Sequence, residues 1–226
     1  MKQVFASLAV AISLLAVAPS TSAQVDLLPP ADTSSMVLIG KLGPSFYWIA
    51  LEENSPGKKT EKVYDVDGKI LAKISTGFMR HLKLEGTGRL ENGKVLNFHQ
   101  WHITSDGKKE VRYRFCGKSA PYGYGVDDYK LRAFKSVAVD PSVIPLGSIV
   151  YIPAARGSKL PDGKIHDGYF EAIDIGTAII NKRIDVFTSF GDQSAVFSRN
   201  GLEHGVATEV YLVKKSQDKE EGKDLN

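Results

Sequence analysis

Asp174 and Asp185 stand eleven residues apart in the segment AIDIGTAIINKRIDVF, each inside an apolar run. Ile173 and Ile175 flank the first, Ile184 and Val186 the second. A carboxylate on a half-buried strand must be paired, hydrogen-bonded or pushed toward its neutral form, because desolvation disfavours the charge. Either these aspartates are tied into turns, or they do acid–base chemistry, for which a carboxyl that keeps its proton near working pH is suited. Asp140, followed by Pro141, reads first as a turn and loop anchor, since Asp-Pro favours turn initiation, and second as a groove residue. Glu85, Gly86 and Thr87 precede Gly88 in a stretch where the glycines would let a ligand approach the backbone; the alternative is a bulged edge strand. Tyr122 and Tyr124 are either ligand-stacking platforms or cover for the core. His99 and His102 fall on opposite faces of a strand, so no shared metal site is expected there. Cys116 has no His-Asp context and reads as a small core residue.

The elements that position these groups are mostly strands. Asp67-Gly68, Asn92-Gly93, Asp106-Gly107 and Asp162-Gly163 separate apolar runs and predict tight two-residue hairpins. Strand-like runs include FYWIAL, VLNFHQWHI, VRYRF, KSVAVD, SIVYIP, YFEAID, RIDVF and TEVYLV. Helical periodicity is nearly absent, the best candidate being GDQSAVFSRNG, with Asn200-Gly201 as its stop. Many short strands with Gly-rich turns predict an all-β barrel or sandwich. Residues 24–45 read as a linker or surface arm, residues 46–214 as the compact domain, and residues 215–226 as a disordered tail. A Tyr-rich break at residues 118–130 divides N-terminal hairpins from the C-terminal half.

Lys2, an apolar stretch of about fifteen residues and a small-residue segment ending at Ala23 have the layout of a secretory signal peptide, residues 1–23. That stretch is shorter than a membrane span. A periplasmic or secreted protein without stable membrane insertion is expected. The single Cys116 excludes an internal disulfide and a lipid-attachment cysteine after the leader. The formal net charge of +3 gives no field that argues for nucleic acid.

Three blocks in order carry a resemblance: SVAVDPSVIPLGSIVYIP, EAIDIGTAI and KRIDVF. The chain resembles the "3D" (three-aspartate) domain that forms the C-terminal part of the membrane-bound lytic transglycosylase A family. The family's block of Asp-Thr-Gly-Gly-Ala-Ile, a basic residue and Arg-x-Asp-(Leu/Val)-Phe is similar to Asp174–Ile179 and Arg183–Phe187, with the same step between aspartates. LEGTGRLENGKVLNF looks like the Gly-rich strand pair upstream in these proteins. The resemblance implies a six-stranded double-psi β-barrel with N-terminal hairpin extensions, the 3D motif lying within residues 135–212, and a second domain missing or much reduced. It implies cleavage of the β-1,4 bond between N-acetylmuramic acid and N-acetylglucosamine in peptidoglycan glycan strands, by a monomer that needs no cofactor or metal. Asp185 is implied as the single acid/base, with water replaced by the muramic C6 hydroxyl, so that a 1,6-anhydro end forms. Asp174 then orients the site or caps the Gly176 turn. Glu85, Gly86, Thr87, Tyr122, Tyr124, Thr177 and Asp140 are the expected groove residues. Thr177 and Asn181 depart from family glycines. Asn tolerates the left-handed region, whereas Thr177 offers its hydroxyl to the groove only with a negative φ. Two other readings stay open: an expansin-like wall-binding module without catalysis, and a hydrolase of the same bond with Asp174 activating water.

Overall fold

The computed structural model describes residues 31–214; the expected leader, residues 24–30 of the arm and the tail lie outside them. Six strands close a mixed barrel: β1 (Met36–Leu51), β7 (Ser136–Ala138), β8 (Ser148–Tyr151), β9 (Tyr169–Asp174), β10 (Arg183–Phe190) and β11 (Thr208–Val213). The order is β10-β7-β9-β8-β11-β1, and parallel pairing of β1 with β10 completes the ring. Alternation fills it. On β10, Ile184 and Val186 point inward with Leu42, Val137, Val150, Phe170 and Val210, while Asp185 between them faces out. Each fully buried aliphatic or aromatic side chain contributes roughly 1.5–3 kcal/mol by leaving water. The helical turn α2 (Ala195–Ser198) adds Phe197, which packs its ring against Phe46, Phe134 and Phe170 within 6.1 Å.

The arm expectation is corrected over residues 36–45, which belong to β1. Met36–Leu42 pair antiparallel with β11, and Gly43–Tyr47 then pair parallel with β10. The arm reading rests on LLPPADTSS, which ends before β1 begins at Met36. Gly40 sits at a bulge with φ of 140°, and Gly43-Pro44 sits where the strand leaves one partner for the other.

Between β1 and β7 the chain builds an insertion with its own core of Val63, Ile74, Phe78, Leu82, Leu96 and Tyr113. It comprises the hairpin β2 (Glu61–Tyr64) and β3 (Ile70–Ile74), helix α1 (Thr76–Glu85), and strands β4 (Thr87–Arg89), β5 (Val95–Ile103) and β6 (Lys109–Phe115). Pairing of Ala50 and Leu51 with Gly88 and Arg89 joins it to the barrel through the far end of β1.

Helix α1 was not foreseen, although both of its ends are signalled. The Ser75 side chain accepts from the Phe78 N–H at 3.1 Å, and Gly86 ends the helix at φ 72°. Its buried face is narrow, Phe78 and Leu82 being the buried residues, which is why the period did not stand out. A Cβ on Gly88 would lie 2.7 Å from Phe78 Cζ, so the helix packs directly on β4 there.

The four hairpin turns form at the expected dipeptides but with longer loops. At Asn92-Gly93 the Leu90 N–H donates to Lys94 O and the Gly93 N–H to Leu90 O, and only the glycine takes a positive φ. The other three repeat this pattern, a type I turn closed by a left-handed glycine bulge instead of a two-residue turn.

Candidate active site

Strand register sets the site. Ser45 on β1, Asp185 on β10, Ala138 on β7 and Asp174 on β9 are successive cross-strand partners, forming one row around the barrel. Two strand spacings place the Asp174 and Asp185 Cα atoms about 10 Å apart along that row. Phe187 shares the outward face of Asp185 yet is buried, packed by Tyr47 at 5.1 Å and Tyr122 at 5.9 Å. The outer face is therefore covered at one end, and the carboxyls stand at the margin of that cover.

The segment 117–134 supplies it. Asn97, 3 % exposed, donates from Nδ2 to Thr87 Oγ1 at 2.8 Å and to Tyr124 O at 3.2 Å, and its Oδ1 accepts the Tyr124 N–H at 3.2 Å. This latches the segment to β4 and β5 of the insertion. One residue on, Gly125 lies against β9 so closely that a Cβ would sit 2.2 Å from Ile173 O. The glycine lets the backbone reach Asp174, whose carboxylate the Val126 N–H helps to stabilise.

Asp174 accepts the Tyr47 hydroxyl at 2.8 Å on Oδ2 and its neighbour's N–H, from Ile175, at 2.9 Å on Oδ1. Burial nevertheless dominates and, with the Asp185 charge adding to it, pushes its pKa up to about 6. Burial also lifts Asp185 to about 6, against the pull of the Ser45 hydroxyl, Arg183 and His204. Asp185 Oδ1 is buried with no hydrogen-bond partner among the described residues.

Glu85 is the third carboxyl. It is the last residue of α1, and its Oε2 accepts the Trp48 N–H at 3.1 Å. Trp48 lies at the bulge between Tyr47 and Ile49, which aims its N–H away from the β10 ladder and toward the insertion. Burial first, then the charges of Asp185 and Asp192, raise Glu85 to about 7 despite that bond. The negative end of the helix dipole acts in the same direction. Tyr47 sits in the field of all three carboxyls, and burial holds its hydroxyl protonated well above the usual range.

The remaining expected residues take supporting places. Gly86 caps α1, and its carbonyl accepts the Phe98 N–H at 2.6 Å; Thr87 is buried with its hydroxyl on Asn97. Asp140 accepts the Ser142 N–H and hydroxyl on Oδ1 and the Asn181 N–H, at 2.7 Å, on Oδ2. It thus anchors the 175–182 loop at Asn181, whose φ of 54° is the left-handed value Asn tolerates. Ser142 and Asn181 hold the Asp140 carboxyl below its usual pKa. Thr177 is exposed on that loop with a negative φ. Tyr122 packs against Phe187 and Phe190, and Arg114 covers one face of Tyr124 at 4.4 Å, so neither ring is a free platform. Sequence reasoning missed Ser45, which fell within the expected arm, and Tyr47 and Trp48, which lie in a run read only as a strand, with nothing in it to tell which tyrosine meets Asp174. Among the described residues no cluster of His, Cys, Asp and Glu is arranged to hold a metal ion.

Comparison with known proteins agrees with this fold. No curated protein sequence matches the chain. Escherichia coli MltA with bound chitohexaose superposes with a TM-score of 0.53 at 15% identity, over 78% of this chain and 72% of that one. The membrane-bound lytic murein transglycosylase from Agrobacterium tumefaciens gives 0.53 at 14% identity, over 76% and 73%. At such identities the likeness is one of fold. Residues 135–205, which hold Asp140, Asp174 and Asp185, match the 3D domain family, and the chain carries that domain within an MltA-like barrel.

Proposed function

We propose that this protein is an exported lytic transglycosylase that cleaves the N-acetylmuramic acid to N-acetylglucosamine β-1,4 bond of peptidoglycan. The observation that carries the reading is Asp185, a buried carboxyl raised to about 6 whose Oδ1 has no protein partner. A buried polar atom left unpaired costs roughly 1–3 kcal/mol, which a substrate atom bound against it would offset. In the fold neighbour MltA the bound molecule is chitohexaose, which accords with a glycan as the substrate here.

In this reading protonated Asp185 donates to the glycosidic oxygen as the C1–O bond breaks. The resulting carboxylate takes the proton of the muramic C6 hydroxyl while that oxygen bonds to C1, so the product is a 1,6-anhydro sugar and no water is consumed. Asp174 has both oxygens occupied by Tyr47 and Ile175, which suits it to orient Tyr47 and hold charge, and makes it a poor base for water. That distinguishes the lyase from a two-carboxylate hydrolase. The export expectation rests on residues 1–23; among the described residues no helix is long and apolar enough to cross a membrane. The test is release of soluble fragments from dye-labelled sacculi. Wild-type protein solubilises them with a rate that falls above about pH 6 as Asp185 loses its proton. Asp185→Asn folds and loses activity by a factor on the order of 100 or more. Full turnover by that variant removes Asp185 from the role.

A further inference from the structure

A second concavity lies on the insertion, where β6 is separated from barrel strand β1 by β4 and β5. It opens between β2, α1 and the outer ends of β5 and β6, with a volume of about 420 Å³, and none of Asp174, Asp185, Glu85 or Tyr47 lines it. Its charges are unbalanced: Lys62, Lys83, Lys109 and Arg112 stand against Glu61 and Glu110. Glu61 is already engaged by the Thr76 hydroxyl at 3.0 Å.

Arg112 is the decisive member. It is only 8 % exposed, yet among the described residues its one ion pair is a contact of 3.3 Å from Nη1 to Glu110, and its Nε–H has no partner. The neighbouring Tyr113 hydroxyl is also buried and unpartnered. Buried donors are nearly always paired, and a guanidinium offers five of them, so this one is underused. Its plane rests 5.4 Å from the Tyr64 ring centroid. Trp101, which also lines the concavity, has one ring face covered by Lys109 Nζ at 4.1 Å and is still 47 % exposed. The bulge between Phe98 and Gln100 turns this end of β5, and Phe98 supports the indole edge-on at 5.6 Å. A half-exposed indole, a buried guanidinium with an unpartnered N–H and a lysine rim line one concavity, which offers both apolar surface and a carboxylate receptor.

We propose that this concavity binds a short acidic peptide, Arg112 taking a peptide carboxylate in place of Glu110 while Trp101 covers the adjacent aliphatic chain. The identity of the occupant rests on the murein reading: it is the peptide stem carried by muramic acid, whose successive carboxylates match the lysine rim. The insertion then selects peptide-bearing glycan, at a distance from the carboxyls that cut it.

The test is calorimetric titration of the full chain with the soluble stem peptide L-Ala-γ-D-Glu-diaminopimelate and with its fully amidated form. The expected result is saturable binding of the acidic form and at least tenfold weaker binding of the amidated one, since each lost charged contact costs about a factor of ten. Trp101→Ala, a change at a half-exposed side chain that leaves the fold intact, weakens binding about tenfold. Arg112→Gln weakens it further, and Asp185→Asn leaves it unchanged. Absence of saturable binding, equal binding of the amidated peptide, or equal loss in Asp185→Asn overturns the site. Sacculus solubilisation separates the two ideas. Fragments released by a protein that does not bind the peptide leave the lyase standing and sink this site, whereas peptide binding without release does the reverse.

Discussion

Asp185→Asn should make the protein more stable at neutral and alkaline pH while abolishing its activity. Burial raises the Asp185 pKa from 3.8 to about 6, so the folded state holds this proton more tightly than the unfolded chain does. Between those two values the native state binds more protons, and stability therefore falls as pH rises through the window. The penalty is absent below about pH 4 and complete above about pH 6. A shift of roughly two units at 1.36 kcal/mol each amounts to about 3 kcal/mol, an upper bound because the asparagine amide inherits the same sparse set of partners. For a chain of this size, 1 kcal/mol moves Tm by about 2–4 °C, so the gain is roughly 6–12 °C at most. Urea unfolding of wild type and variant at pH 8 and pH 4, with unchanged m-values, measures it. A variant no more stable than wild type at pH 8, or equally stabilised at both pH values, refutes the argument that burial strains this carboxylate.

Other perturbations follow from the same geometry. Tyr47→Phe removes the hydroxyl that stabilises ionised Asp174; the Asp174 midpoint then rises above about 6, followed by NMR, at a cost of about 1–2 kcal/mol at pH 8. Gly125→Ala drives a Cβ into Ile173 O and displaces the segment from Asp174, costing about 1–3 kcal/mol in denaturant titration, whereas Gly107→Ala, with open space at its Cβ, costs only the strain of its positive φ. His166 is buried, its Nδ1 accepting from Gly168 N–H at 2.9 Å and its Nε2–H donating to Phe134 O at 2.6 Å, and desolvation lowers its pKa from 6.5 to about 4. Its contribution is fully present above pH 6.5 and is lost as pH falls toward 4, because the unfolded ring takes the proton first. An NMR titration placing the His166 midpoint near or above 6.5 contradicts this.

Much of the strand content was legible in the sequence because the barrel strands alternate and the hairpins of the insertion turn at Asp-Gly or Asn-Gly. SIVYIP, YFEAID, RIDVF and TEVYLV all fall on barrel strands, and the two aspartates announced themselves as carboxyls in apolar surroundings. What could not be read was registration. Asp174 and Asp185 are neighbours in the sheet through Ala138, and only strand pairing puts them in one row. Tyr47 and Trp48 enter the site through a bulge in a strand whose beginning, residues 36–45, falls within the expected arm. Glu85 looked like part of a glycine-rich strand pair and is instead the end of a helix whose Ser75 and Gly86 caps were there to be noticed. The glycines after it were read as openings for a sugar, whereas Gly88 is an opening for Phe78.

The central claim is that one carboxyl and an internal hydroxyl do the cutting. It is tested most directly by incubating the protein with purified murein sacculi and weighing the soluble muropeptides. The account predicts products lighter by one water than the reducing sugars, carrying 1,6-anhydro ends, and none from Asp185→Asn. Reducing ends would show that water attacks C1, and would contradict the role of Asp185 as sole acid and base.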